Sequence, residues 1–240
     1  MMTKFKEDFN RFWEMINDGN NFSLARYADG EVLLMTNAGV RSQTQAFMVD
    51  KWMATSGITK VGTDLMATLN HTESDYYYAI SAKNDHMGDY TFLYNTIAQD
   101  KKNITFVNLW INANYNQMKD NLCSLKRDVI LICNQKGRVN NYPFKVSDLI
   151  PFPDDCVNFW ESNGYEYTEY LKDKFKSITN QLVFISCGPI SEIIIHELYL
   201  LNNKNSYIDV GSSIDEYTHG YKTRPYMING SYYNKLISEF

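Results

Sequence analysis

Leu182-Val183-Phe184-Ile185-Ser186-Cys187 is a nearly unbroken apolar run, and Gly188-Pro189 separates it from a second apolar stretch, residues 190–201. An alternating strand has one face for water; a continuous run has none and must be covered on both faces, as in the centre of a parallel sheet. The second stretch is too long for a strand and reads as a buried helix, with Pro189 suited to its first position. Residues 129–133 form another continuous apolar run. Parallel neighbours need long crossovers, usually helical. The remaining chain supplies them. Strand patterns at 22–27, 76–81, 104–109, 145–150 and 207–210 alternate with helical patterns at 3–18, 45–55, 64–69, 90–98, 112–125 and 155–175. Asn163-Gly164 interrupts the last of these helices, and Pro151 and Pro153 close the strand at 145–150. The expected class is α/β, a mainly parallel sheet with helices on both faces. No repeat or linker divides residues 1–240, so one domain is the expectation.

At the end of the first strand stands Arg26-Tyr27-Ala28-Asp29-Gly30-Glu31. A cation, an aromatic ring and two carboxylates fall within six positions. A turn at Asp29-Gly30 would leave these groups at a strand mouth, where open α/β sheets bind ligands. Read as extended chain, Asp29 and Glu31 project to the same side. Two such carboxylates repel one another until a hard divalent cation, Mg²⁺ or Mn²⁺, joins them. A second reading fits the same residues. Asp29 caps a helix beginning at Gly30, and Glu31 sits in its first turn, where the helix dipole favours an acid.

Composition narrows the partners. The net charge is −5 and no Lys/Arg cluster resembles a nucleic-acid footprint, which argues against nucleic acid. The four cysteines, Cys123, Cys133, Cys156 and Cys187, have no C-x-x-C spacing and read as free thiols of a reducing compartment. Residues 1–14 lack the apolar core of a signal peptide, and no run reaches transmembrane length. The expected location is the cytoplasm. The sequence contains no G-x-x-x-x-G-K-[ST], G-x-S-x-G or H-E-x-x-H.

A parallel sheet gathers its strand ends on one edge, and polar residues follow most of the strands. Asp85 and His86 follow the second, Lys136 and Arg138 the strand at 129–133, and Gly188 opens the buried helix. His86 reads as surface and His196 as a packing residue. A helix N-terminus such as that at Gly188 suits phosphate. The last strand runs into Asp209-Val210-Gly211-Ser212-Ser213-Ile214-Asp215, followed by Thr223-Arg224-Pro225-Tyr226. Gly-Ser-Ser offers backbone donors and two hydroxyls for phosphate or sugar, and Arg224 suits a diphosphate or a carboxylate. A local ion pair between Asp215 and Arg224 is the alternative.

These two stretches resemble a known family. Residues 26–31 resemble the R-[YF]-[GA]-D-G-E signature of bacterial glycosyltransferases with the GT-D fold, with Ala28 where many relatives carry Gly. Residues 209–215 with 223–226 are similar to its D-[IV]-G-S-x-x-D and T-R-x-Y pattern, and Ser186-Cys187-Gly188-Pro189 before an apolar helix is similar too. The resemblance implies a single Rossmann-like domain that moves a sugar from a nucleotide-diphosphate donor, a UDP-sugar, to an acceptor hydroxyl on a glycan, glycoprotein or lipid-linked acceptor. It implies that Asp29 and Glu31 serve Mn²⁺ or Mg²⁺ and that Arg26 contacts the donor.

The chemistry extends the set. Tyr27, Gly188, Gly211, Ser212, Ser213 and Arg224 are further candidates for donor binding. An inverting transfer needs a general base near the acceptor hydroxyl. Asp215 is the first candidate, then Asp209 and Asp85. Two competing readings share the carboxylates: a metal-dependent phosphohydrolase acting on a nucleotide or phosphosugar, and a non-catalytic sugar-nucleotide-binding domain.

Overall fold

The computed structural model describes residues 2–36, 60–134 and 142–240. The expected helix at 45–55 and the pair Lys136 and Arg138 lie outside them. The described chain runs α1 (Lys4–Asn17), β1 (Ser23–Tyr27), α2 (Asp29–Thr36), α3 (Lys60–Ala67), β2 (Tyr76–Ile80), α4 (Met87–Thr96) and β3 (Ile104–Phe106). It continues with α5 (Tyr115–Ser124), β4 (Val129–Asn134), β5 (Val146–Phe152), α6 (Cys156–Phe175), β6 (Leu182–Ser186), α7 (Ser191–Leu201), β7 (Ser206–Asp209) and α8 (Asp215–His219).

The strands form one seven-stranded sheet in the order β3-β2-β1-β7-β6-β4-β5. Every pairing is parallel. The fold is therefore α/β and Rossmann-like. Alternate residues of the central strands divide between two cores. Ala25, Ile130, Ile132, Val183, Ile185 and Tyr207 join the apolar faces of α2, α3, α6 and α7. Leu24, Leu131, Phe184 and Ile208 join Phe9, Phe12, Trp13 and Ile16 of α1, with Met118 and Leu122 of α5. Period-two alternation across a sheet with two apolar faces is what produces unbroken apolar runs.

Three local expectations are corrected. Pro151 does not close its strand, because β5 continues through it to Phe152. β5 is an edge strand, where a residue without an N–H costs no ladder bond. Asn163-Gly164 does not interrupt α6 either. A Cβ at Gly164 would lie 2.9 Å from the Trp160 ring, so the glycine lets that ring pack along its own helix. Pro189 is not the first residue of α7; Gly188 and Pro189 form a turn, and the helix begins at Ser191.

The topology positions the site. β1 leads outward to β2 and β3, whereas β4 starts the opposite half of the sheet. β1 and β7 meet where the two directions part, with Ser23 beside Tyr207 and Leu24 beside Ile208. Crevices of this kind, outside the carboxyl ends of such strands, are where open α/β sheets bind ligands.

Candidate functional site at the β1–β7 junction

Arg26 is the fourth residue of β1 and is 8% exposed. Its Nε donates to the Val107 carbonyl at 2.8 Å. Its Nη1 faces Asp209 Oδ2 across 3.5 Å. Asp209 ends β7, accepts the Gly211 N–H on Oδ1 at 2.7 Å, and offers its carbonyl to the Trp110 indole at 3.0 Å. Arg26 favours the Asp209 carboxylate, but burial outweighs it and pushes the carboxyl upward. Gly211 has φ +46, and a Cβ there would overlap Arg26 Nη1. The loop after β7 can thus lie against the guanidinium only as glycine.

The carboxylates of residues 29–31 are not in extended chain. They occupy the first turn of α2, after Ala28. Glu31 Oε2 accepts the Ala28 N–H at 2.7 Å, the acidic half of a capping box. Glu31, not Asp29, makes that capping contact. Glu31 is 8% exposed, and its carboxyl is raised to about 7 by burial, with Asp29 and Asp209 adding repulsion. The helix N-terminus supplies compensating positive potential.

One acid of this cluster carried no signal in the sequence. Glu192, in the first turn of α7, is 1% exposed, and its Oε2 has no hydrogen-bond partner among the described residues. Burial raises its pKa well above the usual carboxylate range, and Asp209 and Glu31 repel its charge further. Among the described residues, no group of three or more His, Cys, Asp or Glu side chains is arranged to hold a metal ion. Asp29 and Glu31 do offer hard oxygens to a divalent cation. Mg²⁺ takes such sites with one or two carboxylates and fills its shell from phosphate and water.

Of the expected donor contacts, two are fully buried. Tyr27 is fully buried; its hydroxyl meets Thr68 Oγ1 at 2.6 Å, and its ring belongs to the core on the α2 side. Strand alternation sends it to the face opposite Arg26. Ser213 is also fully buried and donates to the Val210 carbonyl at 2.6 Å. Ser212 stays at the surface of the junction, its hydroxyl 2.7 Å from Tyr226 Oη. Gly188 is exposed with φ +58 at the end of β6. That end adjoins Gly211, whose carbonyl accepts the Ser186 hydroxyl at 3.1 Å.

The three candidate bases are separated. Asp209 lies in the junction. Asp215 starts α8 and is 8% exposed; its Oδ2 accepts the Thr223 hydroxyl at 2.6 Å, and His219 Nε2 is 4.0 Å from Oδ1. Burial raises its pKa, against the pull of Thr223, His219 and Arg224. Asp85 follows β2, where its Oδ2 accepts from Asn108 at 2.8 Å and from Ser238 at 2.7 Å. His86 caps α4 by accepting the Asp89 N–H. His196 packs against His71, Nδ1 to Nε2 2.7 Å.

No family model matches this chain, and no curated protein matches it. Solved structures do. One, of the highly conserved domain of unknown function 1792, is described as having a distinct glycosyltransferase fold. It superposes with a TM-score of 0.57 at 15% identity, over 97% of this chain and 90% of that one. A selenomethionine structure of the same domain gives a TM-score of 0.56 at 15% identity, over 97% of this chain and 88% of that one. This chain shares their fold.

Proposed function

We propose that the protein is a metal-dependent glycosyltransferase, acting as one domain, that moves a sugar from a nucleoside-diphosphate donor, a UDP-sugar, to an acceptor hydroxyl in glycan or glycoconjugate synthesis. The observation that carries this reading is that buried Arg26 faces Asp209 and lies against the Gly211 loop, with the Glu31 carboxyl of α2's first turn near enough to Asp209 to be repelled by it. Backbone N–H groups, a buried guanidinium and two adjacent carboxylates are what a diphosphate and its cation require. The fold shared with a described glycosyltransferase fold supports the same class.

In this reading Arg26 and the junction loop hold the diphosphate and Arg224 faces it from the rim. A divalent cation held by Asp29 and Glu31 would neutralise charge on the departing diphosphate. The anomeric carbon–oxygen bond to the diphosphate breaks, and its electron pair leaves with the nucleoside diphosphate. The acceptor oxygen bonds the anomeric carbon. Its proton passes to a carboxylate, for which Asp215 is the first candidate. Burial strengthens Asp215 as a base. Among the described residues no helix is long and apolar enough to cross a membrane. The four cysteines are free thiols, in keeping with a cytoplasmic site of action.

A thermal-shift titration with UDP and UDP-sugars, with and without Mn²⁺, tests the reading. Native-state binding raises the melting temperature by mass action. The expected result is a UDP shift enlarged by Mn²⁺ and lost in Asp29→Asn and Glu31→Gln. A shift insensitive to Mn²⁺ and to both variants removes the metal assignment. Steady hydrolysis of the donor with no response to any acceptor moves the chain to the phosphohydrolases.

A further inference from the structure

A cavity of about 660 Å³ lies on the same sheet edge over the exits of β2 and β3. Its outer wall is the C-terminal segment, fixed by backbone bonds from Ala113 N to the Leu236 carbonyl and from Lys83 N to the Glu239 carbonyl. Asn84 pins the same segment twice, donating to the Ile237 carbonyl and accepting the Glu239 N–H. Phe240 stacks on Phe106 with ring centres 4.1 Å apart. The cavity is thus pre-formed, and its size is that of a small-ligand site.

Its lining is polar. Asn112 lines it and is only 7% exposed. It also holds φ +55, a left-handed conformation that asparagine tolerates better than most residues with a side chain. Asp85 uses Oδ2 for Asn108 and Ser238, leaving Oδ1 open among the described residues. Above these groups stand two exposed rings, Tyr232 at 73% and Tyr233 at 44%. Arg224 and Tyr226 line the side toward the β1–β7 junction, where Tyr226 meets Ser212.

We propose that this cavity is the acceptor subsite, and that its occupant is a sugar unit of a glycan, packed on Tyr232 or Tyr233 and hydrogen-bonded by Asp85 and Asn112. The proposal rests on the glycosyltransferase reading. A pyranose presents an apolar C–H face to an aromatic ring and adjacent hydroxyls that both donate and accept, which matches one carboxylate oxygen and one amide. An anionic ligand fits worse, since Asp85 opposes it. A nucleotide has its phosphate anchors across Tyr226, at Arg26 and Gly211. Acceptor and donor would then face each other over Tyr226 and Arg224.

Saturation-transfer NMR with the methyl glycosides of glucose, galactose, N-acetylglucosamine and rhamnose tests this on the full chain, with UDP binding measured in parallel. Two variants are used: Tyr232→Ala/Tyr233→Ala, which truncates exposed rings only, and Asn112→Gly, which keeps the backbone conformation and deletes the amide. The expected result is binding of at least one glycoside, weakened about tenfold or more by each variant, with UDP affinity kept. No signal from any glycoside, or a signal indifferent to both variants, overturns the proposal. A parallel loss of UDP affinity overturns it too, because the cavity then belongs to the nucleotide. If the glycoside result holds but the wild-type chain does not bind UDP, the saccharide site stands and the transferase reading falls.

Discussion

Gly211 and Arg26 compete for one space: a single added carbon at residue 211 would overlap the guanidinium that faces Asp209. Asp209 holds the same loop through the Gly211 N–H. Gly211→Ala therefore faces a left-handed backbone and a buried charge that has to move. The expected cost is about 1–3 kcal/mol in urea denaturation, with weakened UDP binding. Unchanged stability and unchanged binding would separate Gly211 from Arg26.

Gly164 sets packing against helix propensity. Alanine in a helix interior is favoured over glycine by about 1 kcal/mol. Here its Cβ would sit 2.9 Å from the Trp160 ring, which is held by its indole N–H on Asp64 at 2.9 Å. Overpacking of this kind costs about 1–3 kcal/mol. Gly164→Ala is expected to be net destabilising in a thermal melt, and a raised melting temperature would show that the ring moves aside freely.

What was legible in the sequence, and what was not, divides along physical lines. Residues 129–133 and 182–187 announced doubly covered strands because both faces of β4 and β6 meet apolar helices. Pro151 and Gly164 misled because their tolerance depends on partners: an open sheet edge for one, the Trp160 ring for the other. Asp29 and Glu31 were marked out as a pair, but a cap bond to Ala28 decided between helix and extended chain. The adjacency of β1 and β7 needed the strand order, which local pattern does not encode. Glu192 and Asn112 were silent, since a lone acid or amide acquires meaning only from what surrounds it once buried.

Glu31 makes stability pH-dependent. Its carboxyl is raised by burial to about 7 in the folded protein. Between the ordinary carboxylate range and that value, the folded state keeps a proton that the unfolded state has lost. Stability is then full at low pH and falls as pH rises through this window, by at most about 3 kcal/mol. Glu31→Gln is expected to flatten that part of a pH series of urea melts. Mn²⁺-dependent UDP binding should move the other way and strengthen up to about pH 7, since a cation needs the ionised carboxylate.

Glu192 is expected to tolerate an isosteric amide. Burial pushes its pKa upward, with repulsion from Asp209 and Glu31 adding to it, which favours the neutral acid in the folded protein. Glu192→Gln keeps that shape without a proton to lose. Urea melts should show little change in acid, below the ordinary carboxylate range, and a gain over wild type that grows as the pH rises above that range, where the unfolded wild-type chain gives up a proton that the folded one resists losing. A large loss at neutral pH would instead mean that Glu192 is ionised and that its charge is used.

Asp215 and Thr223 give the sharpest test of the proposed base. The Thr223 hydroxyl, 2.6 Å from Oδ2, favours the carboxylate, while burial opposes it. Asp215→Asn removes the proton acceptor and is expected to lower turnover by about 10²–10⁴-fold with UDP affinity kept. That result alone does not separate a base from a residue that only positions the acceptor. Thr223→Val does. It keeps the carboxyl and deletes a bond that stabilises its charged form, so the pKa of Asp215 rises. The acid limb of the pH profile of kcat/KM should then move to higher pH, with turnover on the alkaline side retained. If Asp215 serves only to bind the acceptor, Thr223→Val changes KM and leaves the acid limb where it was. Asp209 or Asp85 would then take up the role of base.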